Sequence, residues 1–293
     1  MPAGGLPQFF VFVPQMLPDL DALVERARVA EEVGFTGFAV MDHIVPPGTP
    51  ELPVFEAMTT ATWLAAHTDR LVISHLVLCD SFRHPVILAK QAVTLDHATG
   101  GRYELAVGSG SWPEEMAQFG IGDLSGRKRV ERLGESLEVI KGLWTGEPVT
   151  FEGEHFQLRD AQQRPTPLGQ IPILIGGAGP RTLDLVRRHA DWCNVPVDAI
   201  DRIDHVMTET GARASMQHIV GYVPKDGDRE KVEGTARRRY AGVDVVVGDD
   251  AEMIEHYRGL ADRGLERFYV WFHDFARPET LAGFAEGVIA AFR

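Results

Sequence analysis

Short runs of apolar residues alternate along the chain with segments in which apolar side chains recur every three or four positions. Phe9–Val13 is the first such run, and Leu20–Val33 follows it with the spacing of an amphipathic helix that ends at Gly34. Eight runs of this kind, interleaved with helical segments, predict an α/β protein with the (β/α)8 TIM-barrel fold. The other seven predicted strands are Phe35–Met41, Leu71–Leu78, Tyr103–Val107, Ile171–Ile175, Trp192–Val195, Gln217–Val223 and Arg267–Phe272.

The middle of the chain departs from this alternation. Arg127–Trp144 has the apolar spacing of a long helix, and Pro148–Phe151 and His155–Leu158 flank a glycine turn that predicts a small β-hairpin. We therefore expect one domain, residues 1–293, with an insertion at about 111–170. Further predicted helices are Glu56–His67, Pro85–His97 and Glu279–Phe292, and another ends at His189. Val243–Val247 predicts an extra short strand.

Composition limits the classes of partner. The chain has 42 acidic and 29 basic residues and a net charge of −13, which argues against binding to nucleic acid or to an anionic membrane. The two cysteines, Cys79 and Cys193, suggest neither a disulfide framework nor a cysteine-rich zinc site. The start of the sequence lacks the layout of a signal peptide, and no apolar run is as long as a membrane span. These features predict a cytoplasmic protein.

A glycine-rich turn follows the fifth predicted strand. Gly176, Gly177, Ala178 and Gly179 lie between that strand and a helix that would begin at Pro180. Strand, glycine turn and helix start together present free backbone N–H groups to an anion, and glycine permits close approach of a ligand. Arg181 could add a charged donor. An ordinary βα turn is the alternative interpretation of the same pattern.

A second glycine-rich turn follows the fourth predicted strand. Gly108, Ser109 and Gly110 would let a planar ligand approach the backbone, and Ser111 and Trp112 come next, where the indole could form a pocket wall. A tight turn with a packed tryptophan is the alternative. Glu114 and Glu115 then open a short helix, where we expect carboxylates to serve in capping.

Two polar segments follow the second and third predicted strands. Asp42 and His43 come directly after strand two, at the end of a barrel where catalytic groups lie. Histidine exchanges protons near neutral pH, and an adjacent carboxylate could orient it, although a capping Asp with a surface His is an equal alternative. Arg83 could hold a carboxylate or a phosphate, whereas for His84 we expect a helix N-terminal role. No motif calls for a metal ion.

Several segments, in the order in which they follow one another along the chain, resemble the luciferase-like monooxygenase superfamily. The resemblance is strongest to the branch that uses the deazaflavin coenzyme F420. The resemblance extends over nearly the whole length apart from about 196–242, which is shortened. The segments that carry it are AEEVGFTGFAVMDH (30–43), SFRHPVILAKQAVTLDHATGGRYELAVGSG (81–110), EEMAQFGI (114–121), RLGESLEVIKGLWTGEPVTFEGEHF (132–156) and IPILIGGAGPRTLDLVRRHADWCNV (171–195).

The resemblance implies a cofactor ring lying across the carboxyl ends of the strands, with its phosphate on the two glycine turns. His43 matches a histidine near the reactive face of the ring, and Asp42 and Cys79 match residues that contact the ring. Many relatives carry a non-prolyl cis peptide in strand three, which by alignment falls at Leu76–Val77. The resemblance also implies a homodimer.

One departure from the family concerns the substrate. Sugar-phosphate dehydrogenases of the F420 branch have a glutamate directly after the glycine turn of strand four, and this chain has Ser111 there. We therefore expect an F420-dependent oxidoreductase that acts on a small organic substrate other than a sugar phosphate. One alternative is an FMN-dependent monooxygenase served by a separate reductase, and the other is a cofactor-free barrel that acts as a binding partner.

Overall fold

The computed structural model describes residues 6–17, 19–122 and 125–293. Apolar runs become strands, because β-branched and aromatic side chains pack well on a pleated surface. The strands are β1 (Gln8–Phe12), β2 (Gly37–Val40), β3 (Val72–His75), β4 (Leu78–Cys79), β5 (Leu105–Gly108), β6 (Val149–Glu152), β7 (Gln157–Ala161), β8 (Ile173–Gly176), β9 (Trp192–Val195), β10 (Arg213–Tyr222), β11 (Val245–Gly248) and β12 (Leu265–Phe272).

The helices cover the outside of the sheet, and several begin and end at residues that typically cap helices. Asp19 caps the first helix through the N–H of Ala22, and Gly34 ends it in the left-handed conformation. The helices are α1 (Leu20–Val33), α2 (Ala57–Ala65), α3 (Pro85–Thr99), α4 (Pro113–Phe119), α5 (Gly126–Trp144), α6 (Pro180–His189), α7 (Ile203–Thr210), α8 (Arg229–Arg239), α9 (Asp250–Asp262) and α10 (Pro278–Gly287).

The main sheet is parallel and nearly closed into a barrel, which confirms the predicted fold. Its strand order is β3-β2-β1-β12-β10-β9-β8-β5-β4, and β11 pairs with β10 off this path. The predicted third strand is divided in two: β3 pairs with β2, whereas β4 pairs with β5. Counting β3 and β4 as one barrel position, the eight expected positions are all filled.

The inside of the barrel is mainly apolar but contains one buried ion pair. Arg267 Nη1 donates to Glu104 Oε2 at 2.6 Å, and Glu104 also accepts from Ser74 and Tyr269. The Arg267 guanidinium lies 3.8 Å from the ring centroid of Trp192 and 4.3 Å from that of Phe10. Because the buried charges are paired and stacked, they form a closed layer beneath the carboxyl ends of the strands.

The predicted insertion contains the elements that the sequence indicated. α5 packs on α3, and β6 and β7 form an antiparallel hairpin. The carboxylate of Glu135, on α5, accepts from three successive N–H groups of the hairpin turn, those of Glu154, His155 and Phe156. These bonds dock the hairpin on the helix.

The bounds of two elements near the C-terminal end differ from the sequence-based expectations. Strand β10 begins at Arg213 rather than Gln217, and the last helix ends at Gly287, after which Ile289–Phe292 form a 3₁₀ turn. The predicted short strand near Val243 is confirmed as β11. In the part of the chain that the structure describes, no helix is long and apolar enough to cross a membrane.

Candidate functional site

A cavity of about 510 Å³ opens at the carboxyl ends of the barrel strands, the end at which barrel enzymes carry their catalytic groups. This volume lies in the range of small-molecule sites. Twelve of the candidate site residues line it together, although they come from four separate segments of the chain: Asp42, His43, Leu76, Val77, Cys79, Gly108, Ser109, Gly110, Ser111, Trp112, Gly176 and Gly177.

Val77 lies between the two glycine turns. The peptide bond between Leu76 and Val77 is cis, which confirms the position expected from the resemblance. A Cβ atom added to Gly108 would lie 2.8 Å from Val77 Cγ2, and one added to Gly176 would lie 3.3 Å from the same atom. Glycine is therefore required at the end of β5 by the close approach of Val77, and it is favoured at the end of β8.

Gly110 and Cys79 form the next part of the wall. Gly110 has a φ of +85°, and a Cβ there would lie 2.9 Å from Cys79 Sγ and would overlap the Met116 side chain. Burial raises the pKa of the Cys79 thiol to about 12. The thiol is thus a neutral, compact wall group near neutral pH and does not act as a nucleophile there.

The turn after β8 ends at the N-terminus of α6. Gly177 has a φ of +123° and donates its N–H to the carbonyl of Asn194. The N-cap residue, Gly179, provides no side-chain hydrogen bond, and Pro180 occupies the first helical turn. The first turn of α6 therefore has no side-chain cap, and this is the arrangement that accepts an anion.

Three residues of this turn lie outside the cavity lining. Ala178 is buried, and its carbonyl accepts from Arg202 Nη2 at 3.2 Å. Gly179 is exposed beside it. Arg181 is also exposed and lines a separate surface pocket with Glu131 and Asp184, so the structure does not direct its charge toward the cavity. Contacts of Ala178 and Gly179 with a cofactor stay predictions.

The carboxylate of Asp42 is held on the protein side of the cavity. Its Oδ2 accepts from the backbone N–H of Cys79 at 2.7 Å and from Arg83 Nη1 at 2.6 Å, while Oδ1 accepts from Arg83 Nη2 at 2.9 Å. Arg83 also bonds to Glu56. The carboxylate that Arg83 holds is therefore one from the protein itself, and this bidentate pair fixes the end of β2 against β4.

His43 is oriented by a glutamate that lies 72 positions further along the chain. His43 Nδ1 lies 2.9 Å from Glu115 Oε2, and the same carboxylate accepts through Oε1 from the N–H groups of Ile44 and Val45. The capping role expected for Glu115 is wrong, because its oxygens bond across to the loop after β2. His84 does cap its helix, accepting from the N–H of Val86 as expected.

This geometry determines which nitrogen of His43 faces the cavity. A carboxylate only accepts hydrogen bonds, so the proton of a neutral His43 ring lies on Nδ1 and the lone pair lies on Nε2. Trp112 lies against the ring edge-on, with 6.0 Å between centroids. The pair of side chains can therefore present a proton-accepting nitrogen beside an aromatic wall.

Other lining residues were not singled out from the sequence. Polar atoms come from Asn194 within β9, from Gln217 in the middle of β10 and from Thr182 in the first turn of α6, and Met116 and Val197 add apolar surface. No local signal marked them, because Asn194 and Gln217 lie within predicted strands. Among the described residues, no group of three or more His, Cys, Asp or Glu side chains is arranged to hold a metal ion.

The residues present fit a phosphate-bearing planar cofactor. Glycine at 108 and 110 lets the turn after β5 lie close to Val77, Cys79 and Met116, and α6 offers an N-terminus without a side-chain cap. Gly108–Gly110 and Gly176–Gly177 would lie against the phosphate, with the Gly177 N–H kept by Asn194, and Leu76, Val77 and Cys79 would contact the ring. A bound flavin or deazaflavin supplies the capacity to accept or donate a hydride.

Known proteins with similar sequences or folds are consistent with this site. An F420-dependent glucose-6-phosphate dehydrogenase of Nakamurella multipartita is 35% identical over 176 residues, which cover 58% of this chain and 50% of that protein. An F420-dependent secondary alcohol dehydrogenase, solved with an F420-acetone adduct, superposes with a TM-score of 0.84 at 22% identity, covering 98% of this chain and 99% of the other.

A third similar protein binds a flavin. The oxygenating constituent of 3,6-diketocamphane monooxygenase from Pseudomonas putida, in complex with FMN, superposes with a TM-score of 0.80 at 18% identity over 99% of both chains. The two structural similarities establish the fold alone. The model of the luciferase-like monooxygenase family matches residues 5–288. This chain therefore belongs to the luciferase-like monooxygenase family.

Proposed function

We propose that the protein is an F420-dependent oxidoreductase that moves a hydride between the deazaflavin and a small organic substrate. The observation that carries the proposal is that His43, oriented by Glu115, shares one cavity with the glycine turns. The cavity thus combines a place for the cofactor with an imidazole that can accept or donate a proton. The partial similarity to F420-dependent glucose-6-phosphate dehydrogenase supports the choice of F420.

The chain contributes binding, orientation and proton transfer. Backbone N–H groups of the turn after β5 and of the first turn of α6 would bind the phosphate, and Val77 would pack behind the ring. His43 Nε2 takes the proton from a substrate hydroxyl during oxidation, or returns it to the developing alkoxide during reduction. Glu115 acts as a positioning residue that fixes the ring and stabilises the imidazolium when Nε2 is protonated.

Binding of the cofactor tests the proposal. Purified protein is titrated with oxidised F420 and, separately, with FMN, and binding is followed by the fluorescence of each cofactor. We expect the dissociation constant for F420 to be lower than that for FMN by at least about tenfold. Tight FMN binding with none for F420 would favour the monooxygenase that receives reduced flavin from a separate reductase. Binding of neither would favour a cofactor-free barrel.

Replacing Glu115 with Gln tests its positioning role. The amide can still accept from Ile44 and Val45, but its NH₂ group cannot accept from His43 Nδ1. We expect kcat to fall by about 10- to 100-fold, as when a carboxylate partner of a functional imidazole is lost. The dissociation constant for F420 should change little, because the glycine turns hold the cofactor in the proposed function.

The neighbouring Glu114 provides a matched control for this substitution. Its side chain is exposed in the same helical turn and does not line the cavity. Glu114→Gln removes the same charge, so any general effect of charge on kcat appears in both variants. An unchanged kcat in Glu115→Gln would show that the glutamate only holds the loop.

The homodimer and the cytoplasmic location stay predictions.

A further inference from the structure

The charges around the cavity are unusual for a site that would take an anionic substrate. Among the described residues that line it, none is Lys or Arg, whereas two, Asp42 and Glu115, are carboxylic acids. The guanidinium of Arg83 lies behind Asp42 and is already paired with Asp42 and Glu56. Among the described residues that line the cavity, no cationic side chain is therefore available to bind a phosphate or carboxylate group of a substrate.

The negative charge lies at the position where the substrate would react. The Glu115 side chain is only 3% exposed and bonds directly to His43, so an anion placed against the ring would meet a poorly solvated carboxylate. Like charges at short distance in a partly dehydrated site repel strongly, and the cost is not offset without a cation. The helix N-terminus and glycine turns, which do attract anions, serve the cofactor phosphate in the proposed function.

The mouth of the cavity is aromatic and aliphatic. Trp112 lines it beside His43, and Val197, which is 37% exposed, lines it from the segment after β9. Apolar side chains that line an opening are typical of a surface that binds apolar ligand groups.

We propose that this site selects an uncharged substrate, a small alcohol or ketone with an apolar body, and discriminates against phosphorylated or carboxylated analogues. This inference rests on the proposed function. In the oxidation direction the C–H and O–H bonds of the alcohol break and a C=O bond forms. A bound oxidised deazaflavin would supply the acceptor for the hydride and its two electrons, and His43 Nε2 would accept the hydroxyl proton.

A pair of probes that differ by one carboxylate group tests the proposal. Cyclohexanol and 4-hydroxycyclohexanecarboxylate share a ring and a secondary hydroxyl, and glucose 6-phosphate provides a phosphomonoester. Binding of each to the F420-loaded protein is measured by calorimetry, and turnover is followed by the loss of the visible absorbance of oxidised F420. We expect cyclohexanol to bind at least about tenfold more tightly than the carboxylate, and glucose 6-phosphate not to bind.

A substitution at the mouth provides a second, independent test. Val197→Lys places a cation in the lining, and we expect it to narrow the preference for cyclohexanol over the carboxylate by about tenfold. Val197→Met has a similar length without the charge and should keep the wild-type preference. Calorimetry on both variants separates the effect of charge from that of size.

The outcomes that contradict the proposal differ from failure of the proposed function. If F420 does not bind, the function itself is wrong. If F420 binds but the carboxylate or glucose 6-phosphate binds as tightly as cyclohexanol, the function stands and the selection for uncharged substrates is wrong. The same conclusion follows if F420 binds and cyclohexanol does not, or if Val197→Lys leaves the preference unchanged.

Discussion

Replacement of His43 by alanine is expected to lower kcat by about 100- to 10,000-fold while the dissociation constant for F420 changes little. The reason is that Nε2 is the group in the cavity that can exchange a proton with the substrate oxygen, whereas the cofactor is held mainly by the glycine turns. The measurement pairs steady-state turnover of an uncharged alcohol with fluorescence titration of F420. Full turnover in the variant would reduce His43 to a scaffold residue.

A second variant at this position separates proton transfer from loop anchoring. The amide of Asn at position 43 can donate to Glu115 much as Nδ1 does, but it has no titratable nitrogen in place of Nε2. If His43 transfers protons, His43→Asn loses turnover as severely as His43→Ala. Recovery of turnover in the Asn variant would instead show that the bond to Glu115 is all that the histidine contributes.

Replacement of Gly110 by alanine is expected to raise the dissociation constant for F420 by about tenfold or more. The φ of +85° is unfavourable for alanine, and the added methyl group would press on Cys79 and Met116, both of which line the cavity. The turn after β5 must then shift, and its N–H groups would lose their alignment on the phosphate. Fluorescence titration with F420 measures the effect.

Gly101 offers a matched control for the backbone strain. Its φ is +91°, close to that of Gly110, but a Cβ there meets nothing within 4 Å, and the residue precedes β5 at the opposite end of the barrel. Both alanine variants should lower the unfolding free energy, and strain of this kind costs about 1–3 kcal/mol. Gly101→Ala should retain wild-type affinity for F420. Equal affinities in the two variants would contradict the role given to the turn after β5.

Local patterns predicted the barrel and the position of the cavity. Apolar periodicity predicted the observed bounds of helix α1, Leu20–Val33, and of strand β9, Trp192–Val195. Each of these elements buries a set of apolar side chains that its own sequence pattern displays. The glycine turns were recognisable because glycine is needed where φ is positive or a neighbour approaches closely. His43 was recognisable from its location directly after a predicted strand.

Long-range pairing was not visible in the same way. Glu115 contacts a loop 72 positions earlier, and Arg83 bonds to Asp42 across 41 positions, so no local spacing reveals either contact. In isolation, a glutamate in the first turn of a helix has an adequate local explanation, which is the helix dipole. Only the closure of the barrel brings these side chains together.

Weakly amphipathic segments also escaped prediction. Helix α8 buries a single residue, Ala236, and three arginines, Arg237–Arg239, lie in its last turn. A helix with so small an apolar face gives little periodic signal. Its location in the barrel is set by tertiary contacts with β10 and β11 rather than by its own sequence pattern.

The position of Val77 has a consequence for how the family can vary. Its side chain fills the space between Gly108 and Gly176, which end neighbouring strands, so the volumes at positions 77, 108 and 176 are not independent. Among homologous sequences, a side chain larger than hydrogen at 108 should occur together with a residue smaller than valine at 77. Evolution at the cofactor end of this barrel should therefore proceed by paired exchanges that keep the sum of these volumes constant.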